Sequence, residues 1–102
     1  PTPEAAQTLT ATELAATPVI DINNGRFVVV TGTFASAFEL GVPANMALGD
    51  TVIIEFASAQ TNIPTFAAPM QVLESSADWS GYTTVHIRRG ASQYFVALAT
   101  KE

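Results

Sequence analysis

A chain of 102 residues is one domain by length, with a real but thin core, because a domain this small buries only about two thirds of the surface its unfolded chain exposes. Hydrophobic residues make up 48%, yet charged residues are only 13% against roughly 25% in an average soluble protein, so the surface is unusually neutral. Nine acidic against four basic residues, a net charge of -5, argue against nucleic acid or anionic membrane as partner, and the absence of cysteine removes disulfide and thiolate chemistry.

Residues 1–17, PTPEAAQTLTATELAAT, differ in composition from the rest of the chain: only Leu9 and Leu14 are sizeable apolar side chains. Two readings compete. Thr2-Pro3-Glu4 would open a helix well, with a hydroxyl cap, a first-turn proline and an acid at the positive end of the dipole. Against it, Thr8, Thr10 and Thr12 alternate and are β-branched, which favours an extended N-terminal arm lying across a neighbouring subunit. The stretch lacks the charged start and apolar run of a signal peptide, and the longest aliphatic or aromatic run in the chain is six residues, far short of the ~20 that span a bilayer.

From residue 18 to residue 102 the pattern is that of a single β domain. Asn24-Gly25 has the composition of a type I′ hairpin turn, which would pair Ile22 with Phe27 and Ile20 with Val29, placing all four on one face. The other face would carry Asp21, Asn23 and Arg26 near the turn, with Asp21 reaching Arg26 on the diagonal, but Val19, Val28 and Val30 further along. A strand with one wet face alternates, and this one does not, so something is expected to pack on each side of it. Leu9, Leu14, Val19, Val28 and Val30 are therefore the residues expected at an oligomer or lattice interface.

Further on, Phe38 and Leu40 fit a short strand closed by Gly41-Val42-Pro43, and Leu48-Gly49-Asp50 a turn. Thr51 to Ala57 alternates, with Val52, Ile54 and Phe56 on one face. Residues 58–64 form a polar loop, Met70 to Glu74 a strand, and Ser75 to Gly81 a second loop. Thr83 to Arg89 and Gln93 to Thr100 read as a hairpin about Gly90-Ala91, pairing Ile87 with Tyr94 and Val85 with Val96 and setting His86 against Phe95. Six or seven short strands broken by Gly and Pro turns predict an all-β fold, an antiparallel β-sandwich or small barrel.

No motif carries catalysis. His86 is the only histidine, and a zinc site needs three or four ligands, so no metal or cofactor is expected. Asp21 to Gly25 looks like a calcium loop but puts glycine fifth and Gly32 twelfth, where an EF-hand needs glycine sixth and an acid twelfth. None of the six serines sits in a Gly-x-Ser-x-Gly elbow, and the sequence reads as that of a non-enzyme. Asp78, Trp79 and Tyr82 form the one candidate ligand-binding loop, because two aromatics and an acid can stack on a sugar ring and bond its hydroxyls; the competing reading makes Trp79 a plug at the end of the core.

Low charge and a two-sided apolar strand point to a structural assembly protein, since obligate interfaces resemble core in composition. In its arm-like PTPEAAQTLTATELAAT segment, its NNGR and RGAS turns and its lack of an active-site signature, the chain resembles the small all-β accessory proteins of tailed phage virions, such as capsid decoration (cement) and tail proteins. That resemblance implies a homo-oligomer, a trimer or similar, mounted on a capsid shell that it reinforces, and hence a virion location. The alternative is an extracellular carbohydrate-binding or adhesive module built on the Trp79 loop. Fold class alone does not separate the two.

Overall fold

The computed structural model describes residues 6–17, 19–68, 70–76 and 79–101. It is mostly β. Strand β1 (Ala6–Thr10) leads into helix α1 (Ala11–Ala16), a 3-10 turn comes next at Ile22–Asn24, and then come β2 (Phe27–Thr31), β3 (Glu39–Leu40), β4 (Thr51–Phe56), β5 (Thr65–Phe66), β6 (Met70–Ser76), β7 (Tyr82–Arg89) and β8 (Tyr94–Lys101). Six strands form one mixed sheet in the order β1-β2-β4-β7-β8-β6, while β3 and β5 pair in a small second sheet.

Pairing within the large sheet is parallel for β1/β2, β2/β4 and β6/β8 and antiparallel for β4/β7 and β7/β8. The chain thus passes from the large sheet through the second layer and back three times: by α1 between β1 and β2, by β3 between β2 and β4, and by β5 between β4 and β6. The first two returns set each strand parallel to the one before it, and β3 lies parallel to β5. This winding suggests the coils of a short solenoid, ended by the β7-β8 hairpin, rather than the antiparallel sandwich or barrel expected from the sequence. Alternation and Gly/Pro turns at intervals near ten residues look alike in both arrangements, because period two reports a strand and not the direction of its neighbour.

One face of the large sheet is the core wall. Val28 and Val30 of β2, Val52, Ile54 and Phe56 of β4, and Val85 and Ile87 of β7 are sealed from solvent. The second layer covers them with Leu14, Ile20, Ile22, Phe34, Leu40 and Met46. Phe34 stacks on Phe38 at 4.4 Å between ring centroids, and the edge of Trp79 meets Phe56 at 5.2 Å. Buried Gln60 ties two loops together: its Oε1 accepts from the Phe34 amide at 3.1 Å, and its Nε2 donates to the carbonyls of Gly32 at 2.9 Å and Ser58 at 3.1 Å. Those three bonds satisfy a polar group that would otherwise cost stability in the core.

Three local expectations are corrected. The Asn24-Gly25 hairpin does not form. The Asp21 carboxylate caps the 3-10 turn by accepting the Asn23 amide at 2.9 Å, and the Gly25 amide donates to the Ile22 carbonyl at 3.0 Å, so the chain turns without doubling back. An aspartate that bonds the backbone two residues on competes with hairpin pairing. Ile20 and Ile22 go to the core while Phe27 and Val29 face the other way, and Arg26 pairs with Asp50 at 3.1 Å instead of with Asp21.

The second correction concerns the arm. Residues 6–10 are an edge strand of the large sheet, and Thr10 closes a capping box with Glu13: the Glu13 amide donates to Thr10 Oγ1 at 3.0 Å and the Thr10 amide to Glu13 Oε1 at 2.9 Å. The six-residue helix after it drives Leu14 into the core, 1% exposed. The Thr2-Pro3-Glu4 helix start lies outside the described residues. Third, the β7-β8 register pairs Arg89 with Tyr94 and Ile87 with Val96, two residues from the expected pairing. A slip of two preserves the faces, so Val85, Ile87 and Val96 still point together to the core.

Candidate assembly surface

Among the described residues no layer covers the second face of the large sheet. Its side chains form three rows across four strands, set by the pairing register. The middle row is Phe27, Ile53, His86 and Ala97, continued at the β6 edge by position 74; on one side of it run Val29, Glu55, Thr84 and Ala99, and on the other Thr51, Arg88, Phe95 and, at the β6 edge, Gln71. None of the named residues is buried. Phe27, Val29, Ile53 and Phe95 are half-buried. At the β6 edge a register shift between Val72 and Glu74 lifts Leu73 out, 59% exposed, and a shallow groove runs from Leu73 past Phe95 and Ala97 to His86 and Arg88.

The face carries one acid and one permanent cation among the described side chains, Glu55 and Arg88. The Tyr82 hydroxyl donates to the Glu55 carboxylate across the sheet diagonal. That bond raises the Tyr82 pKa above the ordinary phenol value, with burial and the Glu55 charge adding to it. Arg88 lies over the Phe95 ring at 5.9 Å from its centroid. The second acidic centre, Asp50, belongs to the fold: its carboxylate accepts from the Ala47 amide at 2.7 Å and from Arg26, and these bonds hold its pKa below the usual carboxylate range.

Of the five residues expected at an interface, Leu14, Val28 and Val30 sit in the chain's own core and present no surface to a neighbour. Leu9 is half-buried against that core, and Val19 is 42% exposed and lies outside the strands. The expected ligand loop is not assembled either. Trp79 is 5% exposed, with its amide donating to Thr100 Oγ1 at 3.1 Å and its carbonyl accepting from the Gln60 amide at 2.9 Å. It plugs the end of the core. Tyr82 stands apart on the open face, and Asp78 lies outside the described residues.

His86 is exposed between Ile53 and Ala97 on neighbouring strands, not opposite Phe95. The Asp21 carboxylate is used by Asn45, whose Nδ2 donates to it at 2.8 Å, and by the Asn23 amide; in that order these lower its pKa. Among the described residues no group of three or more His, Cys, Asp or Glu side chains could hold a metal ion, and no helix is long and apolar enough to cross a membrane.

Sequence reasoning missed Phe27, Ile53, Leu73 and Phe95 as surface. The signal was present in Ile53, an aliphatic residue at the position where the alternation of Thr51-Val52-Ile53-Ile54-Glu55-Phe56 calls for a polar one. No family model, no curated protein and no solved structure matches this chain.

Proposed function

We propose that the chain is a non-catalytic structural assembly domain whose open sheet face is closed by protein, in an assembly of copies mounted on a larger lattice. The observation that supports this reading is the uncovered row Phe27-Ile53-His86-Ala97 with Val29, Phe95 and Leu73 around it, in a chain with only 13% charged residues. Uncovered apolar surface marks an association site, and its burial is favourable at about 25 cal/mol per Å². The resemblance to capsid decoration proteins names the lattice: the shell of a tailed phage virion, which a small β domain with one adhesive face would reinforce as cement.

The test is co-expression with the structural genes that flank its coding sequence, and then sedimentation of the assembled particles. The wild-type chain should travel with them. Leu73→Asp and Ile53→Asp, both on the open face, should release it while circular dichroism reports the native fold. Particles that never carry the wild-type chain, or that hold both variants as firmly, overturn the reading.

A further inference from the structure

We propose that Asn24-Gly25 is a latent modification site: the hydrogen-bonded 3-10 turn keeps the dipeptide intact, and opening of the turn lets Asn24 convert to aspartate and isoaspartate. The site is independent of the assembly reading, since the turn lies outside the strands that form the open face.

The chemistry needs only water. The Gly25 backbone nitrogen gives its proton to solvent base and attacks Asn24 Cγ, forming a new C–N bond. The bond from Cγ to the side-chain nitrogen breaks, and that nitrogen takes a proton from water and leaves as ammonia. One water then opens the resulting five-membered cyclic imide. Attack at Cγ restores the ordinary backbone with an aspartate, whereas attack at the Asn24 backbone carbonyl carbon leaves the chain running through Cγ as isoaspartate. Either way one water is consumed, one ammonia is released, nothing is oxidised or reduced, and a negative charge is added to a chain whose net charge is -5. Glycine favours the first step because no Cβ crowds the attacking nitrogen. Asn24 alone among the asparagines precedes a glycine; Asn23 precedes Asn24, Asn45 precedes Met46 and Asn62 precedes Ile63.

The Asn24 side chain is exposed, so ammonia has a free exit, but the turn opposes the attack. Gly25 is buried, and its amide proton is engaged by the Ile22 carbonyl at 3.0 Å, away from solvent base. Asn24 is the last residue of the 3-10 turn, and a helical ψ swings the next nitrogen away from Cβ, whereas a flat five-membered ring needs the two eclipsed about the Cα–C bond. Rotating that bond means breaking the turn, and the turn is tied to two other segments. From β1, Gln7 Nε2 donates to the carbonyls of Asp21 and Gly25, each at 2.9 Å. From the other side the Ala44 amide donates to the Ile20 carbonyl at 2.8 Å, and Asn45 Nδ2 donates at 2.8 Å to the Asp21 carboxylate that caps the turn. Local opening therefore sets the rate in the native chain.

The experiment incubates the full chain in mildly alkaline buffer, native and unfolded in guanidinium, and follows the Asn24 peptide by mass spectrometry, with an isoaspartate-specific methyltransferase to count the isomer. The unfolded chain should convert at Asn24 at least about tenfold faster than the native one, and faster there than at Asn23, Asn45 or Asn62. Gln7→Ala and Asn45→Gly should each speed the native chain at least about threefold with circular dichroism unchanged. Asn45 has a φ of 68°, which glycine adopts freely, so that variant removes the side-chain tie without straining the backbone. Native and unfolded rates that agree, an unfolded chain in which Asn24 is no faster than the other asparagines, or two folded variants that both keep the wild-type rate overturn the proposal. Hydrogen exchange on the wild-type chain tests the gate without any variant: the Gly25 amide should be protected, and exchange there as fast as in an open chain overturns the proposal too.

Discussion

Replacing Leu14 by alanine decides whether the N-terminal segment belongs to the folded unit. In an arm that lies on a neighbour the change would leave the isolated domain untouched. In the structure Leu14 is 1% exposed and packs into the core from a helix of only six residues. Leu→Ala removes three carbons, about 2.4 kcal/mol of transfer free energy at about 0.8 per carbon, and adds a cavity term that reaches ~2 kcal/mol where the void does not collapse. A helix this short can shift inward, so the expected loss is about 3 kcal/mol, out of a total stability of about 5–15 kcal/mol for a domain of this size. At about 4–8 °C per kcal/mol the melting temperature falls by roughly 10 to 25 °C. Thermal denaturation monitored by circular dichroism, with urea midpoints to confirm a constant slope, measures it. Val19→Ala, at a 42% exposed position, is the control and should stay within about 0.5 kcal/mol of wild type. If Leu14→Ala melts within about 2 °C of wild type, helix α1 is not docked in solution and the arm reading returns.

Three further outcomes are expected. Thr10→Ala removes the capping box that starts α1 and should cost about 1 kcal/mol, read as a drop in urea midpoint, with Thr10→Ser recovering most of it. Trp79 should resist quenching by acrylamide and iodide in the native state and become accessible in urea, since it is 5% exposed; ready native-state quenching would contradict its place as the core's end plug. Asp50 should give the fold an acid limb: its pKa is lowered in the native state by the Ala47 amide and then by Arg26, so its contribution is complete above the ordinary carboxylate pKa and is lost as pH falls through the native value. The stability gap between wild type and Asp50→Asn should therefore be constant above the ordinary carboxylate value of 3.8 and narrow as pH falls below it and through the lower native value, and a gap that does not change across that range would refute the assignment.

How much of this was legible in the sequence depends on whether the information was local. The β4 alternation Val52, Ile54, Phe56 was readable, as was the Leu48-Gly49-Asp50 turn, which closes with the Asp50 amide donating to the Ala47 carbonyl at 2.9 Å. The β7-β8 hairpin was readable, but its register was not. Turn composition assigns Gly90 a place in the turn for its backbone freedom, whereas in the structure the Phe95 ring lies against it where a Cβ would sit; the turn centres on Ala91-Ser92 instead. Parallel pairing left no local trace. The partner of β2 on one side is the small, neutral β1 and on the other β4, each separated from it by a passage through the second layer, and no turn residue records such a connection. The Asn24-Gly25 dipeptide carried the opposite message, and the Asp21 cap overrode it.

The same parallel pairing explains the composition of the open face. Parallel sheets normally have both faces covered, and their strands read as nearly continuous apolar runs. Strand β2, flanked by parallel neighbours on both sides, reads so: Val28 and Val30 to the core, Phe27 and Val29 to the open side. Strand β7, between antiparallel neighbours, alternates as a half-wet strand does, with Thr84, His86 and Arg88 outward against Thr83, Val85 and Ile87 inward. The face is therefore apolar toward its β2 and β8 flanks and polar along the middle strand. A surface of that kind gains from being covered, yet its central polar groups stay hydrated when it is bare, which is what a subunit needs if it must exist alone before it assembles.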